Sequence, residues 1–273
     1  MVTGFQGIDK YNDYTTLGRG GSDTTAVALA AALHADACEI YTDVDGVYTA
    51  DPRKVPNARK LKEITYDEML DLATLGAGVL HNRSVEMAKK YGVPLVVRSS
   101  LNNSEGTIVK EVTSVERMLI SGVALDENAA RISVMGLKDE PGIAFKLFNL
   151  LAKNNVNVDI ILQSIGREKT KDISFTVNEE DVETAIQLIE ENKERITFQQ
   201  VTSNLDVAKV SIVGAGMTSN PGVAAKMFEA LYSVGININM ISTSEIRITV
   251  LVKKKDGEKA MNAIHDAFFG NVD

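Results

Sequence analysis

The sequence predicts an α/β protein in two parts: a layered αβα segment with a mostly parallel sheet, then a duplicated ferredoxin-like βαββαβ unit. Three observations carry this. Up to about Val109, apolar helices alternate with apolar, β-rich strands. Beyond it one residue pattern is written twice, and Pro141-Gly142 returns as Pro221-Gly222, 80 residues on. Each copy reads strand, Pro-Gly turn, amphipathic helix, strand, strand, helix.

The elements follow in order. "AVALAAALHA" is a helix by composition and by its apolar face, with Ser22 or Asp23 as its start. "ACEIYTDV" is a strand that ends at the turn "DVDG". Thr65 with Glu68 three residues later fits a capping box, ahead of a helix carrying Met69, Leu72, Ala73 and Leu75. "SVEMAKKYG" is a helix closed by Gly92, and "VPLVVRSS" a buried strand.

In the repeat, Lys146, Phe148, Leu151, Val158 and Ile161 match Lys226, Phe228, Leu231, Ile238 and Ile241. The first copy continues through "DISFTVN" and "DVETAIQLIEENKE" and finishes with the strand "ITFQQVTSNL". The second runs through "IRITVLVK" and "GEKAMNAIHDAFF" and lacks a last strand. "RMLISGVALD", ahead of the repeat, is strand-like and otherwise unemployed. It is expected to complete the second sheet, so that the first copy is inserted into the second. The expected divisions are 1–112, 128–204, and 117–127 with 205–273.

Composition narrows the function. The net charge of −8 argues against sequence-independent nucleic-acid binding, which needs a basic footprint. The longest apolar run, "AVALAAAL", is far short of the roughly 20 residues that span a bilayer. No basic start with an apolar run follows Met1, so no signal peptide is visible. Cys38 is the single cysteine, and His34, His81 and His265 are scattered, which excludes an internal disulfide and a thiolate zinc site. A soluble protein of a reducing compartment, the cytoplasm, is expected, with no membrane and no nucleic acid as partner.

The stretch "TTLGRGGSD" has the makings of an anion-binding corner. Gly20 and Gly21 bare the backbone, a helix start offers N–H groups and a positive dipole end, and Arg19 adds a planar fork. The alternative is an ordinary glycine-rich turn with a Ser or Asp N-cap. The stretch is neither a Walker A loop nor G-x-G-x-x-G. "DVDGVYTADPRK" fails as a calcium loop, because its twelfth position is Lys54 rather than glutamate. Tyr48 reads equally as core packing, and His81 as structural, since nothing nearby makes a triad.

"TTLGRGGSD" closely resembles the substrate loop of aspartokinases, in the amino-acid kinase superfamily. "EIYTDVDGVYTADPR" is similar to that family's nucleotide segment, and "LGAGVLHNRSVEMAKKYGVPLVVRSS" and "GTIV" follow in the family's order. The repeat resembles the family's paired ACT domains. The resemblance implies an amino-acid-kinase-type αβα sandwich and phosphorylation of the L-aspartate side chain by ATP, giving 4-phospho-L-aspartate. That is the first step towards lysine, threonine, methionine and diaminopimelate. It assigns Arg19, Gly20, Gly21 and Ser22 to aspartate and puts Asp23 beside the reacting centre. Thr42, Asp43, Tyr48 and Arg53 contact ATP, with Mg2+ held through the phosphates. Gly78 stands where some members carry an ATP-contacting lysine and is left out of the site.

Aspartokinases begin with a strand and a Lys-Phe-Gly-Gly-type loop. This chain starts at "MVTGFQG" and has neither. The resemblance therefore implies a truncated chain lacking the N-terminal kinase segment, its activity alone left open. The ACT pair implies an effector, L-lysine and/or L-threonine, and a homodimer through the ACT domains or a pairing with a full-length subunit. Asp139, Gly142, Ile143, Ala144, Asp159 and Gln163 of the first copy are its expected contacts. Val223, Ala224, Asn237, Ile238, Ser244 and Glu245 are those of the second. A competing reading is a non-catalytic amino-acid-binding regulatory subunit.

Overall fold

The computed structural model describes residues 1–76, 78–112, 119–165 and 170–270. It opens on a hairpin, β1 (Gln6–Ile8) with β2 (Tyr14–Thr16), of which the residue pattern gives no sign. Helix α1 (Gly21–Ala32) and strand β3 (Cys38–Thr42) follow. Then come β4 (Glu63–Thr65), α2 (Tyr66–Thr74), α3 (Asn82–Tyr91), β5 (Leu95–Ser99) and β6 (Thr107–Lys110). The capping box forms: Thr65 Oγ1 accepts from the Glu68 N–H, and Glu68 Oε2 from the Thr65 N–H. Gly92 closes α3 in the left-handed region at φ 65°.

This first sheet runs β3-β5-β6-β4. β3 and β5 are parallel, as are β4 and β6, but β5 and β6 are antiparallel. The expected parallel sheet is thus mixed. The physical reason is the short link between β5 and β6, which is too brief for a crossover and only turns the chain back. Val27, Leu95, Met69, Leu72, Val85 and Ala88 form the core beneath it.

The remainder holds two antiparallel sheets. The first, β11-β8-β10-β9, is built from β8 (Ala130–Lys138), β9 (Ile161–Ile165), β10 (Thr170–Val177) and β11 (Gln200–Asn204). Its helices are α4 (Ile143–Lys153), α5 (Val182–Glu191) and the short α6 (Lys193–Ile196), packed over Ile132, Phe175 and Leu147. The second sheet contains β7 (Gly122–Asp126), β12 (Ala208–Val213), β13 (Met240–Thr243) and β14 (Arg247–Val252), in the order β13-β14-β12-β7. Its helices α7 (Val223–Ser233) and α8 (Gly257–Phe269) cover Val210, Ile212 and Val250. β7 pairs with β12 along Gly122–Asp126, so the orphan strand before the repeat sits at the edge of the second sheet. Arg117 and Met118, the start of that predicted strand, and the last three residues, 271–273, lie outside the described residues.

Several polar contacts knit these parts. Lys209 on β12 reaches Asp126 and Asp159, each at 2.8 Å, and Ile160, Val207, Met240 and Leu251 pack together between the two ferredoxin-like units. Thr49 Oγ1 lies 2.9 Å from Nε2 of the buried His265 on α8, and burial pushes that imidazole's pKa down. Among the described residues no helix is long and apolar enough to cross a membrane.

Candidate active site and ligand pocket

The corner ahead of α1 is built from glycines with distinct reasons. Gly18 and Gly20 sit in the left-handed region, at φ 74° and 71°. A Cβ at Gly20 would overlap the His81 ring, and one at Gly21 would come within 2.9 Å of Leu17 and Phe5. The pair's bareness is therefore taken up by the protein's own side chains. At Gly18 nothing lies within 4 Å, so of these glycines it is the one that borders open space. The expected Ser22 or Asp23 N-cap is also corrected. α1 starts at Gly21, and Gly20 caps it with no side-chain bond. The local cap preference yields here to the close approach of His81. Ser22 is exposed, and the N–H groups of the first turn have no acceptor within the helix.

Asp23 is half-buried in that first turn. Burial raises its carboxyl pKa, while a hydrogen bond from the His81 backbone N–H and the nearby imidazole pull the other way. Arg19 is exposed, its carbonyl held at 3.0 Å by Arg83 Nη2, which also donates to the Leu17 carbonyl at 2.6 Å. His81 caps α3, its Nδ1 accepting from the Arg83 N–H. His81 and Arg83 thus shape the corner from a distant part of the chain. The sequence marks the stretch that holds them, but their place at this corner is set only by the fold.

The segment after β3 forms a second group. Thr42 ends the strand, and its carbonyl accepts from Ser100 N–H and Oγ. Its Oγ1 donates to Asp43 Oδ1 at 3.0 Å, and Asp43 is exposed. Tyr48 is half-buried, its hydroxyl donating to Asp45 Oδ1 at 2.8 Å. Lys60 and Ser104 reach the other Asp45 oxygen at 3.2 and 3.3 Å. The Tyr48 bond, then Lys60, hold the Asp45 carboxyl below its usual range against the effect of burial. Arg53 lies exposed in a two-bond fork with Asp51 at 3.0 and 2.9 Å, and the Asp43 charge also acts on it. β3 links the two groups: burial, then the Asp23 charge, raise the Cys38 thiol at its start. Hydroxyl, carboxylate, ring and guanidinium at a strand's C-terminal end suit a nucleotide, and the N-terminal turn of α1 suits an anion.

In the second ferredoxin-like unit a cavity of about 250 Å³ is lined by Met217, Asn220, Gly222, Val223, Ala224, Thr243, Ser244, Glu245 and Ile248. Four expected effector contacts, Val223, Ala224, Ser244 and Glu245, share it. Asn237 and Ile238 do not: Asn237 is exposed, and Ile238 packs against the unit's own core. In the first unit Gly142 caps α4 at φ 92° with open space beside it, Ile143 is buried and Ala144 packs at the core's edge. Asp139 pairs with Lys171 at 2.9 Å, Asp159 is held by Lys209, and Gln163 is exposed on β9.

Comparison with known proteins agrees across the chain. Residues 1–99 match the amino acid kinase family, and residues 132–192 and 210–268 match the ACT domain. The aspartokinase of Bacillus sp. (strain MGA3) is 53% identical over 269 residues, which are 98% of this chain and 66% of that protein. The chain therefore spans just under two thirds of that relative's length. Among solved structures, Clostridium acetobutylicum aspartate kinase superposes with a TM-score of 0.85 at 32% identity, covering 97% of this chain and 62% of that one. Escherichia coli aspartokinase III with aspartate and ADP (R-state) gives 0.83 at 31% identity, covering 97% and 60%. The same enzyme with lysine and aspartate (T-state) gives 0.76 at 32% identity, covering 97% and 59%. With both halves matched in one order, the chain belongs to the aspartokinase family, joining a stretch of its amino acid kinase domain to a pair of ACT domains.

Proposed function

We propose that this chain takes part in transfer of the γ-phosphoryl group of ATP to the side-chain carboxylate of L-aspartate, under control of an amino acid bound by its ACT domains. A carboxylate oxygen attacks the γ-phosphorus, its bond to the bridging oxygen breaks, and ADP leaves. The protein's task is to align two anions and meet the spreading charge. Arg19, Gly20 and the first turn of α1 with Gly21 and Ser22 bind aspartate. Asp23 orients the amine or a cationic partner beside the reacting centre. Thr42, Asp43, Tyr48 and Arg53 hold the nucleotide. Mg2+ is carried by the nucleotide's phosphates.

The observation that carries this reading is the Gly20–His81–Asp23 arrangement, a half-buried carboxyl with a raised pKa in the first turn of a helix. The divisions 1–112, 128–204, and 117–127 with 205–273 belong to the same reading, supported by the pairing of β7 with β12. Exposed Ile161 and Leu162 on the edge strand β9 support a homodimer through the ACT domains. The buried single cysteine supports a cytoplasmic setting.

The cavity of the second unit favours a second reading, a regulatory protein that binds L-lysine or L-threonine without catalysis. Two measurements separate them: ATP-dependent formation of aspartyl hydroxamate, and calorimetric titration with MgATP, L-lysine and L-threonine. Hydroxamate and MgATP binding establish the first; amino-acid binding alone establishes the second.

A further inference from the structure

The cavity in the second unit has two walls, and both are fastened to α2 of the kinase segment. One wall is the 3₁₀ turn Ala215–Ser219 with Asn220, which brings Met217 and Asn220 to the cavity. Ala215 donates its N–H to Glu68 Oε1 at 3.0 Å, and Ser121 Oγ donates to the same oxygen at 2.7 Å. The other wall is the turn Thr243–Ser244–Glu245. There Ser244 N–H donates to the Arg247 carbonyl at 2.7 Å, and the Arg247 guanidinium lies 3.6 Å from Asp71. The walls are also tied to each other, Gly214 N–H donating to the Ile246 carbonyl at 2.9 Å.

Glu68 is 6% exposed and fully engaged. Its Oε2 accepts from Thr65 N–H and Oγ1 at the start of α2, while Oε1 holds the cavity wall. From α2 the contacts continue. Met69 and Leu72 share a core with Val85 and Ala88 of α3, and Asn82 Nδ2 donates to Thr74 Oγ1 at 2.8 Å. α3 is capped by His81, which meets Gly20 and Asp23.

We propose that Glu68 is the joint through which occupancy of the cavity reaches the Gly20–Asp23 corner. Hydrogen bonds lose strength steeply with distance and angle, and a buried acceptor left unmet is costly. A shift of the Ala215 turn by a ligand in the cavity therefore either drags α2 or breaks the bond. Linkage makes the effect mutual: whatever reshapes the corner changes the cavity's affinity by the same factor. The ligand class, an α-amino acid, rests on the regulatory reading above; the joint does not.

The test is hydrogen exchange on the whole chain, with an occupant built into the protein. Ala224→Phe fills the cavity from α7. Exchange in 66–75 and 80–84 is expected to change about threefold, local opening being the quantity exchange reads. Glu68→Gln keeps the size but has one acceptor, so it holds either the helix cap or the wall. In that background the response at 215–220 persists and the response at 66–75 falls to what the Arg247–Asp71 contact carries. The proposal is overturned if, with Glu68 intact, 215–220 responds without 66–75, or if 66–75 responds equally in both backgrounds. If Ala224→Phe fails to fold by circular dichroism, Thr243→Phe fills the cavity from the other wall and is read the same way. Titration with L-lysine and L-threonine runs alongside. Transmitted exchange without amino-acid binding removes the effector reading and keeps the joint, and binding without transmission does the reverse.

Discussion

Lys209 Nζ lies 2.8 Å from Asp159 Oδ2, and that ion pair joins the two ferredoxin-like units. Asp126 completes the group at 2.8 Å, with the Lys209 side chain only 8% exposed. Burial alone would push the ammonium's pKa down, but the hydrogen bonds and charges of Asp126 and Asp159 leave it raised. A lysine raised in the fold supports stability below its unfolded value, near 10.5, and that support fades as pH climbs through the raised value. Lys209→Met is expected to cost ~3 kcal/mol in urea unfolding at pH 7, because it strands two partly buried carboxylates. Replacing all three residues by apolar ones is expected to cost less. An equal or greater loss from the triple change would contradict this account.

Gly20 and Gly18 make a matched pair of tests. Both have positive φ, so alanine at either is expected to cost about 1–2 kcal/mol in backbone strain. Only Gly20 faces His81. Gly20→Ala should therefore lower Tm further than Gly18→Ala, and His81→Ala in the Gly20→Ala background should recover part of the difference. Additive losses would mean that the ring moves aside without cost.

Asp23 carries a penalty for its charge. Its raised pKa means that the folded chain binds the proton more readily than the unfolded one. The carboxyl therefore favours the fold most below about pH 4, and its contribution falls as pH rises through the raised value. Asp23→Asn is expected to raise Tm at pH 7 by about 1–3 °C, with the gap closing towards pH 4. Hydroxamate formation, where the parent chain supports it, should fall at least about a hundredfold. A Tm that drops at pH 7 would show that the negative charge is needed for folding.

The Tyr48 ring is held by its bond to Asp45. Tyr48→Phe removes one partly buried hydrogen bond, worth about 1 kcal/mol. Asp45→Asn keeps the size but weakens the hold on Lys60 and Tyr48 together. Either change is expected to raise the calorimetric Kd for MgATP by about fivefold, ~1 kcal/mol, with amino-acid binding unchanged. Unaltered MgATP affinity would return Tyr48 to a purely packing role.

Much of this architecture is written locally. The Thr65–Glu68 box, the Gly92 stop and the span of α8 each depend on neighbours within a turn or two, and the sequence displays them. The repeat shows itself because two copies of one core need the same apolar spacing. What stays hidden is set by distant partners. Glu68 Oε2 caps a helix legibly, while Oε1 belongs to Ser121 and Ala215. Gly20 reads as a ligand-facing glycine, yet His81 is what forbids a side chain there. β4 and β6, of three and four residues, are too short to carry a period, so they leave no sign of the mixed sheet in the sequence. Lys209 sits in a buried strand where its charge looks misplaced until Asp126 and Asp159 come round to meet it.

The pairing of β7 with β12 has a temporal side. The two strands are separated by the whole first ferredoxin-like unit, so on a naked chain their meeting requires closing a long loop. Within that unit, however, Arg131 stands opposite Asn204 across β8 and β11. Once the unit has formed, its entrance and exit are neighbours, and only a few residues separate them from β7 and β12. The first unit thus acts as a splint for the second. Assembly of the second sheet becomes a local event that waits on the first, and damage to the first unit's core should slow the maturation of both.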